Sequence, residues 1–274
     1  RFMPAVNPQR RLDQLRVVVT RPAHQAEPLC QMIEQAGGTA IRLPVIEIAP
    51  PSDIQSTQEK LSRLKDFSVA IFTSANAVDG LFKLAPASFS WPQKIQVAAI
   101  GKRTSSALRA HSISVDIVPE QGFNSESLLK HPVMNAVSGK KIMLFKGEGG
   151  RELLAQALIQ RGATVEGVDL YRRKRPNEGL RNIQRAGKSG SIDLFIVTSN
   201  EGLRNLLEMA TETEQKWLLR TELVVISERT AQFAKTLGFS QQPVVADEAS
   251  DEGLLNSIEQ WYADRFRRGI QRGE

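Results

Sequence analysis

The feature that most limits the fold of this chain is that it is written twice. VAIFTSANAV (69–78) and LFIVTSNEGL (194–203) each run from a short apolar stretch through Thr-Ser into a helical pattern, with Thr73 and Thr198 separated by 198 − 73 = 125 residues. The same offset aligns RVVVTRP (16–22) with KIMLFKG (141–147). It also matches Leu29, Gln31, Gln35, Gly37 and Thr39 to Leu154, Gln156, Gln160, Gly162 and Thr164. VAAIGKRTSSALRAHSI (97–113) pairs with LVVISERTAQFAKTLGF (223–239), where Thr104 meets Thr230 at 230 − 104 = 126. FNSESLL (123–129) echoes ASDEGLL (249–255). Order and spacing that persist along nearly the whole chain mark an internal duplication of a unit of about 125 residues.

Each repeat alternates two kinds of pattern. RVVVT, VAIFTS, VAAIG, KIMLF, LFIVTS and LVVIS are continuously apolar and β-branched, as strands buried on both faces of a parallel sheet are. EPLCQMIEQAG and ELLAQALIQRG carry apolar residues at i, i+3 and i+4 and end in glycine, a favoured helix C-terminal residue. Strand–helix alternation with short crossovers predicts right-handed βαβ units. The expected fold class is therefore α/β, with two similar doubly wound parallel-sheet domains. RLPVIEIAPPSD (42–53) and VDLYRRKRPNE (168–178) occupy matching places, look extended and end at prolines. Read as linkers at 45–49 and 168–175, they leave 50–167 as one domain and join 1–44 to 176–274 as a discontinuous other.

With 41% hydrophobic and 24% charged residues in 274, the composition is that of a soluble globular protein. No apolar run approaches the ~18 residues of a membrane span. The opening RFMPAVNPQRRLDQL lacks the apolar core of a signal peptide and reads as an irregular extension before the first strand. The single cysteine, Cys30, excludes an internal disulfide framework and fits a reducing cytoplasm. The net charge of +6 gathers partly in QRR (9–11), YRRKRP (171–176) and RFRRGIQR (265–272). With only 6% aromatic residues and no recognised binding module, nucleic acid is not the expected partner, and a small acidic ligand suits the charge.

Ligands of open α/β sheets bind beyond the carboxyl ends of the strands, so the informative loops are those that follow each β run. These are TRP (20–22), TSAN (73–76), GKRT (101–104), KGEGGR (146–151), TSNE (198–201) and SERT (227–230). Small and hydroxylated residues opening helices expose backbone N–H groups where the dipole favours anions. Ser, Thr and Asn are also ordinary N-caps, the plainer explanation for any one loop. Six such loops in a duplicated scaffold favour a site that collects anionic groups. Sharper motifs fail. KGEGGREL lacks the third glycine of a dinucleotide loop at Glu152, and AGKS (186–189) follows no strand. His24, His111 and His131 lack partners at metal-ligand spacing, and no G-x-S-x-G elbow is present.

Over roughly residues 15–262 the chain resembles the bacterial uroporphyrinogen-III synthase family. The resemblance rests on VVVTRP, LPVIEI, FTSANAV, AIGKRT, GEGGRELLAQALIQRGATVEGVDLYRR, VTSNEGL and VVISERTA in that order. It implies two α/β domains joined by a two-stranded linker, with the substrate held in a cleft. It also implies a cytoplasmic hydro-lyase of haem and tetrapyrrole biosynthesis that cyclises hydroxymethylbilane to uroporphyrinogen III, inverting the last pyrrole, without cofactor or metal. The expected chain is a monomer that binds neither nucleic acid nor membrane and makes transient contact with the preceding pathway enzyme. Tyr171 matches the family's linker tyrosine and is the expected catalytic residue, donating to the departing hydroxyl. Thr104 and Thr230 match strand-end threonines cast as carboxylate holders. Thr73, Ser74, Asn76, Gly101, Gly147, Thr198 and Ser199 join the same ring of substrate-binding loops, with Arg21, Lys102, Lys146 and Arg151 as steering cations. Ser227 stands where the first repeat has glycine, a departure that puts backbone approach at this loop in question and makes the Ser227 side chain a candidate for a direct bond to substrate. The rival reading is a non-catalytic two-domain receptor for an anionic small molecule or tetrapyrrole.

Overall fold

A computed structural model describes residues 12–122, 124–150, 152–177 and 192–271, with side chains as far as 265. Its strands are β1 (Arg16–Val19), β2 (Thr39–Arg42), β3 (Glu47–Ala49), β4 (Val69–Phe72), β5 (Gln96–Ala99), β6 (Lys141–Gly147), β7 (Thr164–Lys174), β8 (Leu194–Val197), β9 (Glu222–Val225) and β10 (Val244–Val245). The helices used below are α1 (Ala23–Gln35), α2 (Ile54–Ser62), α3 (Ala75–Leu84), α4 (Lys102–Ala110), α5 (Ser125–Leu129) and α6 (Leu153–Gln160). After them come α7 (Asn200–Met209), α8 (Glu212–Leu218), α9 (Glu228–Thr236) and α10 (Asp251–Gln271).

The chain divides into two compact units, Arg1–Glu47 with Arg175–Glu274, and Ile48–Lys174. The first is built on a sheet in the order β10-β9-β8-β1-β2, its pairs all parallel. Val17 and Val19 of β1 and Leu194 and Ile196 of β8 pack with Leu29 and Ile33 of α1 and Leu254 and Ile258 of α10. Apolar β-branched runs form these strands because both faces are covered and no alternation with polar residues is needed.

The second unit is built on the order β3-β7-β6-β4-β5, and β7-β6-β4-β5 is parallel throughout. Period-two alternation sends β4 residues to opposite faces. Ala70 and Phe72 pack with Leu61 of α2, Leu81 of α3 and Leu108 of α4. Val69 and Ile71 pack with Leu128 of α5 and Leu154 and Leu158 of α6. Helices on both faces make the sheet doubly wound. Phe72 and Phe145 stack at 4.5 Å between ring centroids in the first of these layers.

The duplicated halves are exchanged between the units. β1 and β6 correspond at an offset of 141 − 16 = 125, yet β1 pairs with β8 while β6 pairs with β4. Each sheet thus takes one strand–helix–strand piece from one repeat and its next strands from the other. The order β9-β8-β1-β2 matches β5-β4-β6-β7, and a parallel bridge of Ile117 with Ala98 stands where β10 lies beside β9; β3 beside β7 has no counterpart beside β2. Gly37 and Gly162, equivalent in the repeat, both close their helices at positive φ, 90° and 86°.

The stretches expected as linkers contain strands of the second sheet, and the boundaries of the two units fall inside them, between Glu47 and Ile48 and between Lys174 and Arg175. β3 neighbours β7, and β7 runs unbroken for 11 residues. Val168, Leu170 and Tyr171 are buried in that unit's core. VDLY (168–171) is thus strand throughout, whereas in LPVIEI only Glu47 and Ile48 are strand and Leu43–Ile46 are not.

Candidate functional site

Along the carboxyl edge of the second sheet, the order β7-β6-β4-β5 sets side by side Tyr171, Lys146 with Gly147, Thr73 with Ser74, and Gly101 with Lys102 and Thr104. Tyr171 is only 4% exposed, its ring within the core and its hydroxyl at the sheet end. β6 bulges between Lys146 and Gly147, which sets Gly147 opposite Tyr171. The phenol fills the space that a side chain at 147 would need: a Cβ there would lie 2.7 Å from Cζ of Tyr171. The Tyr171 carbonyl accepts from Glu148 N–H at 2.8 Å, fixing the loop that follows.

Ser74 caps α3, its Oγ accepting from Ala77 N–H at 3.2 Å. Its own hydroxyl donates to Oη of Tyr171 at 3.1 Å. Thr73, expected on the substrate, bonds through both N–H and Oγ1 to Phe145 carbonyl, at 3.0 and 3.2 Å, tying β4 to β6. Asn76 is half-buried in the first turn of α3. At the next loop Gly101 precedes α4 with no capping side chain, so the first-turn amides have no hydroxyl folded over them. Thr104 is buried at 4% exposure and Lys102 is exposed. Ser105, unmarked by the sequence reading, has a buried Oγ with no hydrogen-bond partner among the described residues.

Charge at this edge is paired. Lys146 Nζ lies 2.9 Å from Asp169 Oδ1. Glu148 accepts from the N–H and the hydroxyl of Ser52, each at 2.8 Å. The Ser52 backbone donor, then its hydroxyl, then the charges of Arg172 and Lys146 hold the Glu148 carboxyl below the usual range. Arg151 lies outside the described residues.

The first unit carries an equivalent edge on β9, β8 and β1. Ser199 caps α7 by accepting from Gly202 N–H at 2.9 Å. Ser227 caps α9, accepting from Thr230 N–H at 3.3 Å with its Oγ 3.1 Å from Thr230 Oγ1. Thr230 is as buried as Thr104, and Thr198 is half-buried. Thr20 repeats the Thr73 arrangement: its Oγ1 donates to Ile196 carbonyl at 2.7 Å. Arg21 is ion-paired with Asp251 at the start of α10.

Three of the serines expected on substrate are thus helix caps, and two of the expected steering cations hold a carboxylate. The sequence reading missed Ser52, Glu148, Ser105 and Asp251. All four sat in segments that had drawn notice, Ser52 in RLPVIEIAPPSD, Ser105 in VAAIGKRTSSALRAHSI, Glu148 in KGEGGR and Asp251 in ASDEGLL, but none had been given a role. Among the described residues no group of three or more His, Cys, Asp or Glu is placed to hold a metal ion. The assembled chemistry is hydroxyl, phenol, backbone amide and ammonium, donors suited to oxyanions.

Comparison with known proteins agrees in every direction. The family profile described as "Uroporphyrinogen-III synthase HemD" matches residues 27–256. The uroporphyrinogen-III synthase of Salmonella typhimurium is 32% identical over 248 residues, covering 89% of this chain and 99% of that protein. That of Escherichia coli (strain K12) is 30% identical over 246 residues, with the same coverage of both. The crystal structure of a mutant uroporphyrinogen III synthase from the extremely thermophilic bacterium Thermus thermophilus superposes with a TM-score of 0.59 at 19% identity, covering 94% of this chain and 99% of that one, which shows the shared fold. With the profile spanning most of its length and relatives matched nearly end to end, the chain belongs to the uroporphyrinogen-III synthase family.

Proposed function

We propose that the chain converts hydroxymethylbilane to uroporphyrinogen III and that Tyr171 initiates the reaction. The observation that carries this is the hydrogen-bond direction at the phenol. Ser74 donates into Oη, so the phenol proton is left for another acceptor. A phenol that already accepts one hydrogen bond is a stronger donor of its own. Given to the hydroxymethyl oxygen, that proton lets the C–O bond break and water leave, while the pyrrole nitrogen lone pair forms the azafulvenium cation beside the phenolate. The substituted carbon of the last pyrrole attacks the exocyclic carbon, giving a spiro intermediate that fragments and recloses with that ring turned over. The proton lost as the closing pyrrole regains aromaticity restores the phenol, so the sum is loss of one water.

The substrate carries an acetate and a propionate on each ring. The uncapped amides of α4, with Thr104 and Ser105 beside them, are suited to hold such a carboxylate. Thr230 is cast in the matching role in the first unit, with Thr198 and Ser199. Arg21 and Lys146, each with an acidic partner, serve as oriented donors more than as net attractors. Ser227 acts through the N-terminus it caps. The reaction calls for no metal or organic cofactor. We place the enzyme in the cytoplasm as a monomer, in transient contact with the enzyme that supplies its unstable substrate; sedimentation at micromolar concentration checks the monomer. The function itself is checked by incubating purified protein with freshly made hydroxymethylbilane and separating the oxidised porphyrins. The III isomer should dominate, and the I isomer alone would refute the reading.

A further inference from the structure

We infer that Ser74 is a positioning residue for the phenol proton of Tyr171 rather than a substrate contact. The inference rests on the proposed role of Tyr171. Both ends of the Ser74–Tyr171 bond are anchored. Ser74 Oγ is pinned by Ala77 N–H at 3.2 Å, so its single proton is directed at Tyr171 Oη, 3.1 Å away. On the other side, α3 sits down on β7 one residue before the tyrosine: a Cβ on Gly80 would lie 2.4 Å from Leu170 carbonyl oxygen. That close approach fixes the height of the helix, and of its cap, above the strand. Gly147 supports the ring from β6. Ser74 and Gly147 thus hold the phenol from two neighbouring elements, with the Gly80–Leu170 approach setting the helix that carries the first, and the remaining freedom of the phenol is the direction of its O–H.

The duplication supplies an internal comparison. Ser199, equivalent to Ser74, caps α7 in the same way at 2.9 Å. The position equivalent to Tyr171 is Ile46, since 171 − 125 = 46. The cap is common to both repeats, and the bond to a phenol belongs to one. Capping therefore explains the serine at both places, while only in the second unit does its hydroxyl proton meet a group that transfers one.

A double-mutant cycle tests this, with kcat and KM for uroporphyrinogen III formation by wild type, Ser74→Ala, Ser74→Thr, Tyr171→Phe and Ser74→Ala/Tyr171→Phe. Ser74→Ala should lower kcat about tenfold, the scale of one oriented hydrogen bond, with KM moved by less than about twofold. Ser74→Thr, which keeps both donor and cap, should recover most of that loss. In the Tyr171→Phe background the Ser74→Ala change should cost less than about twofold more. Thermal melts alongside Ser199→Ala separate loss of a cap from loss of chemistry, and Ser74→Thr keeps the test alive if Ser74→Ala does not fold. Wild-type kcat in Ser74→Ala, a full additional loss in the double mutant, or no recovery in Ser74→Thr would each overturn the inference. A wild type that forms no III isomer would instead sink the proposed function, and a Tyr171→Phe as fast as wild type the role of Tyr171.

Discussion

Gly147 and Tyr171 meet without room for a single methyl group: a Cβ at 147 would stand 2.7 Å from Cζ and 3.0 Å from Oη. Gly147→Ala must therefore push the ring, and the ring is buried. Overpacking of this kind typically costs about 1–3 kcal/mol, and on the proposed role of Tyr171 displacement of the phenol takes its proton away from the leaving oxygen. The expected outcome is a folded protein with a melting temperature lower by several degrees and kcat reduced at least about tenfold. Thermal melts with steady-state rates check both. Full activity in Gly147→Ala would mean that the position of the phenol is not decisive.

Gly80 makes a second prediction whose sign depends on magnitudes. In an exposed helix Gly→Ala stabilises by about 1 kcal/mol. Here the new Cβ would lie 2.4 Å from Leu170 carbonyl oxygen, a backbone atom that cannot rotate away. The clash should win, and Gly80→Ala should lower the urea midpoint by the equivalent of about 1–3 kcal/mol. An increased midpoint would show that α3 can lift off β7 freely.

The third prediction concerns pH. The Glu148 carboxyl is held below its usual range chiefly by Ser52 N–H, then by the Ser52 hydroxyl. A carboxyl depressed on folding contributes stability above its unfolded value, and loses it as pH falls through the folded value. The Ser52–Glu148 link should therefore persist at neutral pH and let go only in acid below the ordinary carboxylate range. Carboxyl NMR of Glu148 should show its midpoint rising towards the ordinary value in Ser52→Ala, though the backbone donor keeps it from returning fully. An unchanged midpoint would remove the hydroxyl from the link.

Fold and site differed in how far they could be read from sequence. The duplication was legible because buried parallel strands and the residues that leave them tolerate few substitutes, so Thr73 and Thr198 still mark it. The extended character of 168–174 was legible, but its place in the second sheet was hidden by YRRKR, whose outer residues are exposed while Val168, Leu170 and Tyr171 face the core. A capping hydroxyl and a ligand-binding hydroxyl ask for the same residue at the same place, so Ser227 could not be assigned without Thr230 N–H in view. The pairing of Arg21 with Asp251 joins residues 230 positions apart, beyond any local pattern. Gly147 was noticed as a loop glycine, but the reason for it, a tyrosine 171 − 147 = 24 residues away, is purely three-dimensional.

The central claim is that the enzyme turns the substrate over by holding it folded while one phenol releases its hydroxyl. Tyr171→Phe measures this directly, assayed with freshly made hydroxymethylbilane for both total rate and the ratio of III to I isomers. The expected result is a rate lower by about a hundredfold, in line with the loss of one general acid. The III isomer should still form, because the loops that fold the chain are untouched. A mutant with wild-type rate and isomer ratio would contradict the account.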